Sequence, residues 1–334
     1  MSRTLLIFAL AGLAVLLVTP LIVTDSYQRH LFIVAFIFAV IASNWDLSLG
    51  FAGLFNFGHL AFFGVGVYTA AITTQVLGWS PWLGIGLGGA TAALAALAIA
   101  VPVVRLKGIY VVLVTFAFSQ LCLQIVLSQS QITGGAEGIV RIPALSLGDY
   151  RFHRDYNLAY YYTGLSLLTL STIFLLVVVN SPFGKSLRAV RDNPDYAAAR
   201  GISVARQRVM ALCFSAIFTG LAGGLYAVYL RVASPDVFGF GTLSLALSML
   251  LVGGAGSVIG PIIAALALTF VNESLAGIRG LEDLRFLLVA VAMILVLRLA
   301  PGGTIEIAGR LFSGRGRQAT KQTSRKRDER QIDP

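Results

Sequence analysis

Long apolar stretches recur along this chain at a spacing that only a membrane protein can accommodate. They fall at about 4–23, 31–49, 59–77, 82–104, 109–128, 158–180, 209–230, 241–254, 257–276 and 284–300. A helix needs ~20 apolar residues to cross ~30 Å of hydrocarbon, so ten crossings use about two thirds of the 334 residues and leave only short loops. With 57% of residues hydrophobic and 12% charged, the expected fold is all-α: a polytopic membrane helical bundle of about ten spans. No sizeable soluble catalytic domain fits. The first stretch follows Arg3 and is similar to a signal sequence, but its apolar run is long and no A-x-A-like site follows Thr19-Pro20, so it reads as an uncleaved span.

The expected organisation is a first span and short outer loop at 1–30, a membrane core at 31–302 with an outer loop at 129–157 and an inside loop at 181–208, and a basic tail at 303–334. The tail has almost nothing apolar after Phe312 and is expected to be disordered, with anionic lipid as its neighbour. If the N-terminus is cytoplasmic, 18 of the 25 Lys and Arg residues fall on the inside, and without the tail the count is still 10 against 7. The positive-inside rule therefore places both termini of this multi-pass chain in the cytoplasm, in the inner (plasma) membrane. The net charge of +10 sets topology on this reading and is no sign of nucleic acid.

Chemistry is sparse. There is no G-x-x-x-x-G-K-[ST] loop, so ATP binding by a P-loop is excluded, and there is neither H-E-x-x-H nor C-x-x-C. His30, His59 and His153 have no partner cluster, and Cys122 and Cys213 sit in apolar stretches as small hydrophobes. No catalytic residue, metal site or cofactor of its own is expected.

Two glycine clusters interrupt apolar sequence, Leu49-Gly50-Phe51-Ala52-Gly53 through Gly66 and Val252-Gly253-Gly254-Ala255-Gly256 through Gly260-Pro261. Paired interruptions predict broken helices in a weak internal repeat with a transport pathway between the halves; the alternative is that the glycines let helices pack closely. Polar groups within spans cost ~2.5–3.5 kcal/mol for an Asp or Arg at mid-span and are functional by default. They are Asn44, Asp46, Asn56, His59, Asn272 and Glu273. The pathway candidates are Asn56, Phe57, Gly58, His59, Gly253, Gly254 and Gly256. Against them, Asn56 is equally read as bonding a broken helix and His59 as a satisfied interior histidine.

The inside loop at 181–208 carries a start-and-stop code for a short helix. Asn193 is a good N-cap, Pro194 suits the first position, Asp195 complements the dipole, and Gly201 ends the run. A helix of at most two turns does not hold itself in water. The capping makes sense if the helix docks against something.

At this point the sequence resembles a known family. The loop is similar to the coupling loop of ABC-transporter permeases. The ordered set Asn56-Phe57-Gly58-His59 through Tyr68, Lys107-Gly108-Ile109-Tyr110, Thr133-Gly134-Gly135-Ala136-Glu137-Gly138, Gly220 through Tyr226, Ser234-Pro235 and Gly253 through Pro261 resembles branched-chain amino acid permeases of the second-permease type, over about residues 30 to 302. The resemblance implies a permease subunit of a binding-protein-dependent importer that moves substrate by alternating access. Its implied partners are a homologous permease subunit, two cytoplasmic ATPase subunits that hold ATP and Mg, and a periplasmic or extracytoplasmic substrate-binding protein. It also implies an ATPase-coupling loop at Asn193, Pro194, Asp195, Ala198, Ala199, Arg200 and Gly201, and a binding-protein docking loop at Thr133, Gly134, Gly135 and Glu137. In the family a Glu usually stands where this chain has Ala198, so the resemblance implies that one acidic contact to the ATPase is either missing here or supplied by Asp192 or Asp195. Branched-chain amino acids are the expected substrate, with urea or short amides as alternatives. An ion-driven secondary transporter is the rival class, with Asp46 and Glu273 as its only acidic candidates.

Overall fold

A computed structural model describes residues 3–23, 25–148, 150–153, 157–276 and residue 298. The tail expected at 303–334 lies outside these residues, as does nearly all of the span expected at 284–300. The chain forms α1 (Arg3–Ile22), α2 (Ser26–Asp46, prolonged by a π turn Leu47–Phe51), α3 (His59–Ala71, prolonged by a π turn Ile72–Val76), α4 (Pro81–Val103) and α5 (Ile109–Ser128). After the short α6 (Ser130–Thr133) come α7 (Leu158–Asn180), α8 (Pro182–Asp192), α9 (Pro194–Ala199), α10 (Val204–Leu230), α11 (Phe240–Gly253) and α12 (Ile259–Ala276). Among the described residues, α2 with its π turn, α4, α5, α7 and α10 are long and apolar enough to cross a membrane. The bundle is all-α apart from two small ladders in the loops. β1 (Ile139–Val140) pairs antiparallel with β4 (Val232–Ala233), and β2 (Ser146–Leu147) with β3 (Tyr150–Arg151).

The helix starts follow their local chemistry. Asp25 caps α2 by accepting the Tyr27 N–H at 3.2 Å, Pro81 opens α4, and Ser181 caps α8 ahead of Pro182. The segment expected as an inside loop at 181–208 is therefore mostly helical. Its first half is an amphipathic helix that buries Leu187 and Val190.

α2 is the axis of the bundle. Its most apolar window is 94% buried, against 22% in α5, and it packs on α7, α10, α11 and α12. Phe36 and Trp45 on α2 are fully buried, and Phe36 meets the Tyr161 ring of α7 edge to face at 5.1 Å. α5 instead leaves Leu113, Leu121 and Ile125 on the outside, which suits a helix against lipid.

α3, α4 and α10 meet through small residues. A methyl group at Gly66 would overlap the Gly220 carbonyl, and one at Gly220 would overlap the Gly88 carbonyl and the Ala92 side chain. These backbones touch because no side chain intervenes, the usual basis of close helix packing in membranes. Gly66→Val is expected to destabilise the purified protein by at least ~1–3 kcal/mol through overpacking. Gly86→Ala, where a methyl group meets nothing within 4 Å, is expected to leave the thermal unfolding midpoint in detergent unchanged.

Candidate transport pathway and coupling surface

Two breaks in the helical backbone, each a turn between one helix and the next, meet. The first is the segment 52–58 between the π turn of α2 and the start of α3; the second is the segment 254–258 between α11 and α12. Asp46, near the end of α2 and fully buried, accepts a hydrogen bond from the Gly256 N–H at 2.7 Å. Gly50 lies in the same junction, where a methyl group would overlap both Asp46 Oδ1 and Gly256 N. The two glycine clusters singled out in the sequence thus form one seam.

The first break is held by side chains that serve its backbone. Asn56 Oδ1 accepts the Gly58 N–H at 2.9 Å, Thr115 Oγ1 of α5 accepts the Phe57 N–H at 3.0 Å, and Trp45 Nε1 donates to the Asn56 carbonyl at 2.8 Å. His59 opens α3. Its Nε2 pairs with Thr219 Oγ1 of α10 at 2.9 Å, and its ring stacks on Trp45 with centroids 5.4 Å apart. Asn56 and His59 are 1% and 0% exposed, so in this conformation neither reaches a cleft. Each keeps one polar atom, Asn56 Nδ2 and His59 Nδ1, without a hydrogen-bond partner among the described residues. Of the phenylalanines around them, Phe55 is exposed, Phe57 is half-buried, and Phe62 and Phe63 are buried.

At the second break Gly253 ends α11, and Gly254 turns the chain at φ +99°. Ser257 Oγ donates back to the Gly254 carbonyl at 2.8 Å.

The open space lies toward the other end of α2. A hollow of about 280 Å³ is lined by His30, Val34, Phe38, Leu245, Asn272 and Glu273 among others. A second of about 160 Å³, lined by Phe63, Ser234 and Asp236 among others, adjoins it. Phe38, Tyr226, Leu230 and Thr242 border both, so the two make one cleft between α2, α10, α11 and α12. Its wall is mixed, with Val34, Phe38, Leu230 and Leu245 apolar and His30, Thr242, Asn272, Glu273 and Asp236 polar. Pockets for drug-sized ligands run ~300–1,000 Å³, so either hollow suits a small metabolite. Sequence reasoning singled out Glu273 and Asn272 but gave no sign of Asp236, in the turn after Ser234-Pro235, or of Thr242, in the first turn of α11.

The coupling candidates are gathered on one short helix. Asn193 accepts the Tyr196 N–H at 2.9 Å and caps α9, Pro194 occupies its first turn, and Asp195 follows. Ala197 is buried, while Asp195, Tyr196, Ala198, Ala199 and Arg200 are exposed. Arg200 lies over the Tyr196 ring at 5.1 Å and donates to its hydroxyl at 2.6 Å. Gly201 turns away at φ +81°, a conformation that suits glycine.

The outer-loop candidates build a turn. Thr133 is buried and donates to the Val126 carbonyl at 2.6 Å, Gly134 and Gly135 follow with φ of +76° and +59°, and Glu137 is exposed. Among the described residues no group of three or more His, Cys, Asp or Glu residues is placed to hold a metal ion.

Comparison with known proteins agrees with this architecture. A model of the family described as the permease component of branched-chain amino acid transport systems matches residues 29–297. The chain is 27% identical over 292 residues to the high-affinity branched-chain amino acid transport system permease protein LivM of Escherichia coli, covering 81% of this chain and 68% of that one. It is also 25% identical over 236 residues to the guanosine ABC transporter permease protein NupQ of Bacillus subtilis, covering 66% and 73%. No solved structure matches the chain.

Asn193→Ala is expected to cost α9 about 1 kcal/mol of local stability, read as roughly fivefold faster amide exchange at Tyr196 and Ala197. Asn193→Ser is expected to restore the slower rate.

Proposed function

We propose that this chain, which belongs to the family of permease components of branched-chain amino acid transport systems, carries aliphatic amino acids inward as one half of an ATP-driven pathway. The observation that carries the reading is α9. A capped six-residue helix with one buried anchor and an exposed face has little reason to exist in isolation, and it fits a groove on a cytoplasmic ATPase. The basic residues around it support a cytoplasmic position for α8, α9 and both termini.

The remaining assembly follows from that placement. A homologous permease completes the pathway, two ATPase subunits hold ATP and Mg, and a binding protein delivers substrate at the opposite face, where the turn at Thr133, Gly134, Gly135 and Glu137 lies. The membrane-spanning chain is a transport subunit, and hydrolysis belongs to its partners. Alternating access then proceeds by movement of the two broken-helix units about their seam.

The cleft supports an aliphatic amino acid as cargo. The ammonium group of a zwitterion is matched by the carboxylates of Glu273 and Asp236, and a branched side chain by Val34, Phe38 and Leu245. The similarity to a guanosine permease makes a nucleoside the competing cargo.

Liposomes holding the chain with its partner subunits and binding protein are expected to take up labelled leucine when supplied with ATP, in preference to guanosine or urea. Gly201→Pro, which forces φ from +81° to about −65°, is expected to abolish uptake. Glu273→Gln is expected to raise the apparent KM for leucine by roughly tenfold, the loss of one charge-assisted contact. Uptake that ignores ATP, or that favours guanosine, contradicts the reading.

A further inference from the structure

One side chain joins the helix that precedes α9 to the seam between the broken helices. Arg191 stands in the last turn of α8, two residues before Asn193, which caps both α8 and α9. Its Nη1 donates to the Gly50 carbonyl at 2.9 Å. Its Nε and Nη2 meet Asp192 Oδ1, each at 2.9 Å. The side chain is 37% exposed, and its stem lies against the first break, since a methyl group at Gly53 would come within 2.8 Å of Arg191 Cγ.

The acceptor of this bond is not free to move alone. A methyl group at Gly50 would overlap Asp46 Oδ1 and Gly256 N, and one at Gly256 would stand 3.4 Å from Arg191 Nη1. Arg191, Gly50, Asp46 and Gly256 therefore make a single packed junction of three segments that lie far apart in sequence. Packed interiors do not deform continuously and pass displacement on as rigid bodies. Fully buried, Asp46 needs partners of this kind to be tolerated within a span.

We propose that Arg191 is the positioning residue that ties α8 and α9 to the seam, so that displacement of α9 moves the Gly50 carbonyl and opens or closes the contact between the two broken helices. The tie rests on the importer reading for its driving force. Its geometry does not depend on that reading, so the two are tested separately.

In the purified chain without partners, Arg191→Met is expected to speed amide exchange at Gly256, the donor to Asp46, by about tenfold, the loss of one charge-assisted hydrogen bond. In the full assembly the same variant is expected to lower the ratio of leucine transported to ATP hydrolysed by about tenfold, with Arg191→Lys intermediate because a point charge reaches only one of the two acceptors. Asp192→Asn removes the exposed half of the bridge and keeps the bond to Gly50; it is expected to hold that ratio within about twofold. Unchanged exchange at Gly256, or uptake and hydrolysis falling in parallel at constant ratio, overturns the tie and assigns Arg191 to stability alone. A wild-type assembly that transports without ATP sinks the importer reading, while the exchange experiment still decides the tie.

Discussion

A turn buried between packed helices leaves amides and carbonyls that neither water nor lipid serves, and such a break survives only where protein supplies the missing partners. The rest of this structure depends on that constraint. Asn56, Thr115 and Trp45 bond the backbone of the first break, Asp46 and Ser257 that of the second, and Arg191 takes the carbonyl of Gly50. Of the polar groups that look expensive in the sequence, Asp46 and Asn56 are engaged in holding backbone at the breaks, while Asn44 and His59 bond Ser171 and Thr219 on neighbouring helices. The energetic cost of each is offset by the desolvation penalty it prevents, which is several kcal/mol for each orphaned group in hydrocarbon.

That arrangement explains how a chain without catalytic groups can be mechanically specific. α2 runs through the middle of the bundle and ends at the first break, and α12 packs along it from the second. One end of this pair carries the cleft, and the other carries the seam and the basic helices. A small-residue contact between α3, α4 and α10 keeps one side of the bundle closely packed, which leaves relative motion to the two breaks, the elements with fewest continuous hydrogen bonds.

What the sequence revealed and what it hid divide by range. Asn193, Pro194 and Gly201 place α9 because capping and left-handed turns are local chemistry, and the glycine clusters mark the breaks for the same reason. α8 was within reach as well, since Ser181-Pro182 is a helix start and Phe183, Leu187 and Val190 recur at helical spacing, but the flanking charges read as loop. The pairings of Arg191 with Gly50, His59 with Thr219 and β1 with β4 join residues 141, 160 and about 90 positions apart, and no periodicity within one segment reports them. The cleft was hidden likewise, because its lining comes from four helices and a turn. Spans expected at 31–49 and 59–77 are drawn as α2 and α3 with π turns at their ends, an extension that hydropathy alone does not reveal.

The central claim is that the two breaks form one junction through Asp46, and a double-mutant cycle of Asp46→Asn and Arg191→Met on the unfolding free energy of the purified chain tests it most directly. Residues that share a network couple by ~0.5–3 kcal/mol, whereas independent sites add within ~0.5 kcal/mol. A coupling in the first range is the result this structure predicts. Strict additivity would show that the helix pair and the seam stand apart, and would contradict it.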